Sequence, residues 1–266
     1  MSDMVIERSG AAQVMRFNRP DKKNALTGAM YDAMSDALES GDKDDGVAVH
    51  VFLGSGGVFT AGNDLAEFLA SSSGDQSALK SVLRFISLLP RVKKPMLAGV
   101  DGLAVGIGTT LLFHCDMVFA TSAARFQTPF LDLGLVPEAG SSLLMPARMG
   151  YARAFEMLVL GAPMGAEAMV SAGLVNAIVD AAALEAHVLG VAGALARKPP
   201  EALALARRLM RGDGDALSLR TNEEAAIFAR RLRSAEAREA FQAFFEKRPP
   251  DFAKLRGGSS GGSAAG

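Results

Sequence analysis

The apolar positions of this chain change period several times, and the changes mark its elements. Met4–Arg8 and Gln13–Phe17 read as two short strands of a hairpin, with Ser9-Gly10 at the turn. Asn18-Arg19-Pro20 stops the second strand, and Asp21–Leu26 is a polar loop. Thr27 is placed to cap a helix whose Met30, Met34 and Leu38 recur every four residues, with Tyr31 beside them. Val47–Leu53 is almost wholly apolar and reads as a strand buried on both faces, with His50 as a core histidine. Leu79, Val82, Leu83, Ile86 and Leu89 form a helical stripe, and Pro95–Val100 reads as the next buried strand. Gly102–Gly108 is a glycine-rich turn, Thr109–His114 is helical, and Cys115–Thr121 is strand-like. Strands alternating with helices predict an α/β class.

Beyond Ser142 the pattern becomes helical. Ala147–Leu160 and Gly165–Ala172 predict helices, and Leu174–Val179 a short strand. From Ala181 to about Lys247 the chain is helical, cut into four pieces at Pro199-Pro200, Gly212–Asp215 and Ser234. The division expected is an α/β body over 1–195, a helical part over 196–256 and a linker-like tail over 257–266. The last helix carries Ala237, Ala240, Phe241, Phe244 and Phe245 on one face, a core-facing or partner-facing stripe. A short helix through Leu69 and a loop at Ser71–Asp75 are also expected.

Composition narrows the function. A formal net charge of −1 argues against nucleic acid as a partner. The single cysteine, Cys115, forbids an internal disulfide and points to a reducing, cytoplasmic setting. His50, His114 and His187 have no metal-ligand spacing, so no metal is expected. No apolar run is long enough to span a bilayer, and Ser263–Gly266 is not a peroxisomal targeting tripeptide.

Candidate chemistry concentrates in three stretches. Phe126–Ser142 (FQTPFLDLGLVPEAGSS) places one carboxylate, Glu138, in a Pro-Glu-Ala-Gly turn between apolar runs. It is either a solvated turn residue or a buried base; Asp132 is the alternative base. In Phe59–Leu65 (FTAGNDL), Gly62 lets a ligand approach the main chain, and an N–H at Asn63 opening a helical turn would have no partner within the chain. The bland reading is a strand-to-helix turn capped by Asp64. In Gly102–Thr110 (GLAVGIGTT), Gly106 and Gly108 flank Ile107 at a helix start, where free N–H groups collect; close packing through small residues is the bland reading. Neither a nucleotide P-loop nor a dinucleotide fingerprint is present. Together these stretches read as a base and two backbone donors around one carbonyl oxygen.

In combination, GNDL, DGLAVGIGTTLL and FQTPFLDLGLVPEAGSS resemble the crotonase (enoyl-CoA hydratase/isomerase) superfamily, and most of all its peroxisomal-type Δ3,Δ2-enoyl-CoA isomerases. The resemblance runs from about Val5 to Phe252. It implies a crotonase-type spiral of repeated ββα units with a helical C-terminal trimerisation part, an acyl-CoA thioester substrate, no separate cofactor because coenzyme A belongs to the substrate, and a homotrimer or dimer of trimers. It places the thioester oxygen between the N–H groups of Asn63 and Ile107, where isoleucine in place of a common glycine narrows the pocket. It lays Lys22–Leu26 along the coenzyme, with Ala25 at its adenine or pantetheine side and Lys22 or Lys23 near phosphates. Ala61, Asp64 and Leu65 would line the adenine pocket.

Departures from the family bear on the reaction. The two hydratase glutamates would fall at Thr110 and Phe130, and neither residue exchanges protons at neutral pH. Glu138 falls where the isomerases keep their single base. An apolar wall of Phe130, Leu135 and Leu131 would raise its pKa and exclude water. The expectation is an isomerase that shifts a 3-enoyl-CoA double bond to the 2-position. The alternatives are a weak hydratase, another acyl-CoA enzyme such as a thioesterase or ring-enoyl isomerase, and a non-catalytic acyl-CoA-binding protein.

Overall fold

The continuous apolar runs form strands because both of their faces are covered. In the computed structural model, which describes residues 2–67, 77–212 and 214–255, β1 (Met4–Ser9) and β2 (Ala12–Phe17) pair antiparallel as a hairpin. β3 (Val49–Gly54), β4 (Met96–Val100), β6 (Met117–Ala120) and β9 (Ala177–Ile178) add in parallel, giving a six-stranded sheet of order β1-β2-β3-β4-β6-β9. The helix Leu184–Ala196 covers one face, with Leu184, Val188 and Ala192 buried against Val14, Val51 and Leu97. The opposite face packs into the main core, around Phe17, Phe52, Met96 and Val118.

A second sheet, which no periodicity in the sequence announces, creates the site. β5 (Leu103–Val105) pairs in parallel with β7 (Arg125–Gln127), and β8 (Met164–Gly165) pairs antiparallel with β7. Two parallel bridges continue it, Thr60 with Ala104 and Leu26 with Asn63. The chain therefore alternates. β2, β3, β4 and β6 each lie in the large sheet, and each is followed by a segment of the small one. Such a winding is the crotonase-type spiral, and the fold is mixed α/β. The sequence does not announce β5 and β7, because three-residue strands have no periodicity, and Gly102 and Gly106 give β5 the composition of a turn.

Four C-terminal helices occur where the breaks predicted: Leu184–Ala196, Pro200–Arg211, Gly214–Arg231 and Ala235–Phe245. The first belongs to the body, since it covers the large sheet. The others fold back onto it. Arg207 binds Asp116 through Nε (2.8 Å) and the Val92 carbonyl through Nη1 (2.7 Å), and Arg211 donates to the His114 carbonyl. Ala235–Phe245 seats on Gly134, which has no room for a side chain: a Cβ there would lie 2.7 Å from Ala237 N. The predicted stripe is accordingly split. Ala237, Ala240 and Phe241 are buried in the chain's own core, whereas Phe244 and Phe245 are 56% and 49% exposed.

The predicted helix over Ala147–Leu160 is instead two helices, Ser141–Met149 and Tyr151–Leu158. Gly150, at φ 80°, ψ 155°, breaks the helical run between them. The short helix starts at Leu65, with its predicted end at Leu69 outside the described residues; so are the loop at Ser71–Asp75 and the tail at 257–266. No helix among the described residues is long and apolar enough to cross a membrane, and no group of three or more metal-ligating side chains is found among them.

Candidate active site

The site lies where three turns of the spiral end side by side. The first is the loop after β2. Lys23 and Asn24 both have positive φ (51° and 55°). Asn24 is fully buried and holds the loop in this shape: its Nδ2 donates to the carbonyls of Ser55 (2.9 Å) and Val58 (2.7 Å), and its Oδ1 accepts from Arg19 N (2.8 Å). Thr60 Oγ1 donates to Asn24 O (2.7 Å), and Ala61 N donates to Lys23 O (2.9 Å). Lys22 and Lys23 remain exposed, Ala25 is half-buried, and Leu26 is buried. Lys22–Leu26 is thus bound along Ala61–Asn63, so the two stretches that the resemblance assigns to the coenzyme lie side by side. Asn24, which ties the loop to Ser55, Val58 and Thr60, looks like any polar loop residue in the sequence.

The second turn is FTAGNDL. Leu26 N donates to Gly62 O (2.8 Å) and Asp64 N donates to Leu26 O (2.9 Å). In a parallel bridge the residue between two bonded neighbours turns its own N–H to the other edge, and here that residue is Asn63. On that edge lies the end of β5. A Cβ on Gly62 would meet Val105 O at 2.7 Å, so only glycine, at φ 85°, permits so close an approach. Instead of joining the ladder to Val105, Gly62 N donates to the Thr60 hydroxyl (3.0 Å). Asn63 N–H has no acceptor among the described residues.

The third turn follows β5. Gly106, at φ 57°, is the N-cap of the short helix Ile107–Thr110, and its carbonyl accepts from Thr109 and Thr110. Ile107 N–H is the first of that helix and has no acceptor within it. The Asn63 and Ile107 amides therefore sit on neighbouring strand ends, neither with an acceptor among the described residues. The Ile107 side chain is buried in the main hydrophobic cluster, so it packs the protein interior rather than merely narrowing a pocket.

The sequence missed the anchor of Asn63. Tyr31, on the helix Gly28–Gly41, is fully buried and donates its hydroxyl to Asn63 Oδ1. Burial, and then the nearby Glu138 carboxylate, raise the tyrosine pKa well above its ordinary value, so it stays a donor. Its one sequence signal was a polar-tipped ring beside an otherwise apolar stripe. Asp64 keeps the capping role of the bland reading. Its Oδ1 accepts from Ala66 N (3.0 Å) and its Oδ2 pairs with Arg19 Nη1 (2.7 Å). Burial opposes its ionisation, but these bonds outweigh it and its pKa is lowered. Leu65 packs partly buried against the core.

Glu138 is 3% exposed, so the solvated-turn reading does not hold. Its Oε1 is 2.5 Å from the Thr110 hydroxyl, and its Oε2 has no partner among the described residues. Burial raises its pKa to about 8. The Thr110 hydrogen bond works against that rise, and Glu224 adds to it. Position 110, where the family resemblance puts a hydratase glutamate, thus carries the hydroxyl that holds the carboxylate. The turn is tightly built: Ala139 and Gly140 both have positive φ, 56° and 70°. His114, buried and with its pKa lowered to about 3 first by that burial, is neutral and donates Nε2–H to Ala139 O (2.6 Å). Only the fold brings His114 there; nothing in its sequence surroundings predicts it.

Phe130 and Leu135 are buried in the same core cluster as Leu111 and Ala139, but Leu131 is 38% exposed and does not belong to that wall. It borders a surface cleft of about 280 Å³ with Leu135, Arg231 and Phe252. A second cleft, of about 230 Å³, opens between Pro137, Ser142 and Arg220, Glu224 and Ile227. Asp132, the alternative base, is exposed. Chemically, the arrangement offers one dehydrated carboxylate with a high proton affinity and two neighbouring backbone donors. These are the parts needed to move a proton beside a carbonyl whose oxygen is held.

Known proteins share this build. The family model for enoyl-CoA hydratase/isomerase matches residues 7–255. Enoyl-CoA delta isomerase 2 of Rattus norvegicus is 36% identical over 251 residues, covering 92% of this chain and 64% of that protein. The chain therefore spans less than two thirds of that relative. The 2,3-dehydroadipyl-CoA hydratase of Escherichia coli (strain K12) is 30% identical over 257 residues, covering 95% of this chain and 99% of that protein. The crystal structure of an enoyl-CoA hydratase/isomerase from Pseudoalteromonas atlantica T6c superposes with a TM-score of 0.88 at 38% identity, covering 94% of this chain and all of that one. The names of these relatives span more than one reaction, but each names a coenzyme A thioester, and this chain belongs to the enoyl-CoA hydratase/isomerase family.

Proposed function

We propose that the chain is a Δ3,Δ2-enoyl-CoA isomerase in which Glu138 is the only proton carrier. The observation that carries this reading is the setting of Glu138: it is buried and bound on one oxygen by Thr110, with a hydroxyl and a buried phenyl ring, at 110 and 130, where a hydratase has its carboxylates. The Glu138 carboxylate takes a proton from C2 of a 3-enoyl-CoA. The electron pair released forms the C2–C3 double bond as the C3–C4 π pair moves toward C4, and the charge of the dienolate is shared with the thioester oxygen. Asn63 N–H and Ile107 N–H hold that oxygen; loss of one such donor costs about 3 kcal/mol of barrier. The carboxylic acid then returns the proton to C4, so nothing is gained or lost overall. Water has no carboxylate pair to activate it, and the dry surroundings of Glu138 oppose its entry.

The loop Lys22–Leu26 and the segment Ala61–Leu65 would carry the coenzyme A portion, with Lys22 and Lys23 free for its phosphates and Gly62 and Gly106 shaping the backbone beside the thioester. Asp64 contributes by holding this segment through Arg19. A homotrimer, or a dimer of trimers, is the assembly proposed, with exposed Phe244 and Phe245 rather than Phe241 available to a neighbour; a monomer mass by light scattering would refute it.

The test of function is incubation with trans-3-hexenoyl-CoA. Rising absorbance of the conjugated 2-enoyl thioester, without free thiol, is expected. Thiol release without conjugation would identify a thioesterase, loss of added 2-enoyl-CoA a hydratase, and no change a binding protein; each outcome overturns the reading.

A further inference from the structure

The helix Ser141–Met149 begins directly behind the proposed base, and its N-cap, Gly140, has no side chain to satisfy the first amides. A side chain from a distant helix does so. Glu224, buried on Gly214–Arg231, accepts from Gly140 N at 2.6 Å through Oε2 and from Ser142 N at 2.9 Å through Oε1. Both bonds fall within four residues of Glu138, on a turn already held in the left-handed region at Ala139 and Gly140. Deeper inside, His114 fixes the Ala139 carbonyl and Thr110 fixes the Glu138 side chain. Of these three clamps, Glu224 is the one that carries a negative charge.

We propose that Glu224 is a positioning residue for the reaction: it clamps the main chain that carries the base and places a second carboxylate behind it. This rests on the reading of Glu138 as the base. The second carboxylate makes the first harder to ionise, in agreement with the direction in which Glu224 moves the Glu138 titration. Burial raises the pKa of Glu224 itself, while its bonds to Ser142 and Gly140 and the charge of Arg220 hold that rise down. The other charged groups near the pair lie elsewhere. Arg220 donates to Ser142 Oγ (3.3 Å) and pairs with the exposed Glu223. Arg148 lies over the Phe113 ring near the end of its helix. Lys80, Arg84 and Arg91 on the packed segment 77–91 are exposed, with Arg84 engaged by Asp36 and Glu39. Tyr31 and His114 are neutral. Among the described residues, no cation therefore stands between the two carboxylates to cancel their repulsion. The C-terminal helices, in this view, tune the active site as well as covering it.

The test uses the full chain with ¹³C-labelled glutamate carboxyl groups, the Glu138 resonance being assigned by its loss in Glu138→Gln. In Glu224→Gln the Glu138 midpoint should fall by about one pH unit, and the acid limb of kcat/KM should move down with it. Glu224→Asp keeps the charge and should leave the midpoint near its wild-type position, even where the shorter side chain lowers the melting temperature. Should Glu224→Gln not fold, Glu224→Met, of similar length and no charge, is read in the same way. A purely structural Glu224 would lower the rate at every pH and leave the midpoint unmoved; that result overturns the proposal, as does an equal fall in Glu224→Asp. The base reading fails separately, if Glu138→Gln turns over at the wild-type rate, and the carboxyl resonance still reports the effect of Glu224 in that case.

Discussion

Replacing Glu138 by Gln should destroy activity and, at alkaline pH, stabilise the fold. The wild-type carboxyl keeps its proton to about pH 8 when folded, but an unfolded glutamate loses it near pH 4.5. Between those values the folded state binds more protons, so raising the pH favours unfolding. The stability contribution is fully present below about pH 4.5 and is lost as pH rises through about 8. Across that window, each pH unit removes about 1.4 kcal/mol. The loss is therefore about 3 kcal/mol by pH 7 and on the order of 5 kcal/mol above pH 8, against a total stability of about 5–15 kcal/mol for a domain. Glutamine carries no such dependence. Its carbonyl still accepts from Thr110, but its amide occupies the place of Oε2, which has no partner among the described residues, at a cost of about 1–3 kcal/mol. The variant should be the less stable protein below the crossing and the more stable one at pH 9, with the crossing between about pH 5 and 7. Urea unfolding of both proteins at pH 5, 7 and 9 measures this directly, since other titrating groups cancel in the difference. Isomerisation of a 3-enoyl-CoA should fall by about two to four orders of magnitude, with acyl-CoA affinity little changed. A stability difference that stays constant within about 1 kcal/mol across this range would refute the argument, because the carboxylate would then not be titrating in a dry site.

Other outcomes follow from the same geometry. Asn63→Ala should keep turnover within an order of magnitude, because the donor is the backbone and the loss is the Tyr31 bond, about 1 kcal/mol; Asn63→Pro removes the N–H and should cost about 3 kcal/mol of barrier, roughly 100-fold. Steady-state kinetics beside an acyl-CoA binding measurement separates these, and equal inactivity of both folded variants would assign the role to the side chain. Asp132→Asn should change turnover little, and selective loss of activity in that variant would move the base to position 132. Asn24→Ala leaves the Ser55 and Val58 carbonyls and the Arg19 amide unpaired and should destabilise by about 2–4 kcal/mol in a urea melt, with weaker acyl-CoA binding as the coenzyme loop loosens.

Much of this was written in the chain locally. Unbroken apolar runs such as Val47–Leu53 and Pro95–Val100, short and rich in β-branched residues or closed by turns, favour strands covered on both faces, and the four-residue spacing of Met30, Met34 and Leu38 favours a helix. The breaks at Pro199-Pro200, Gly212 and Ser234 act through backbone chemistry of single residues, so the C-terminal helices were legible to within a few positions. Gly62, Gly106 and Glu138 were legible as candidates, because a glycine-flanked helix start and an acid amid apolar neighbours are anomalies that a sequence displays. What the tertiary structure alone decided depends on contacts between segments far apart in the chain. The small sheet is built from three-residue strands and single bridges, whose stability comes from their neighbours and not from any period of their own. The high proton affinity of Glu138 comes from burial, which no neighbour in sequence reports. The clamps upon it, Thr110, His114 and Glu224, lie 28, 25 and 82 to 86 residues away from the positions they hold or influence, and only the winding of the spiral and the return of the last helices bring them to one turn.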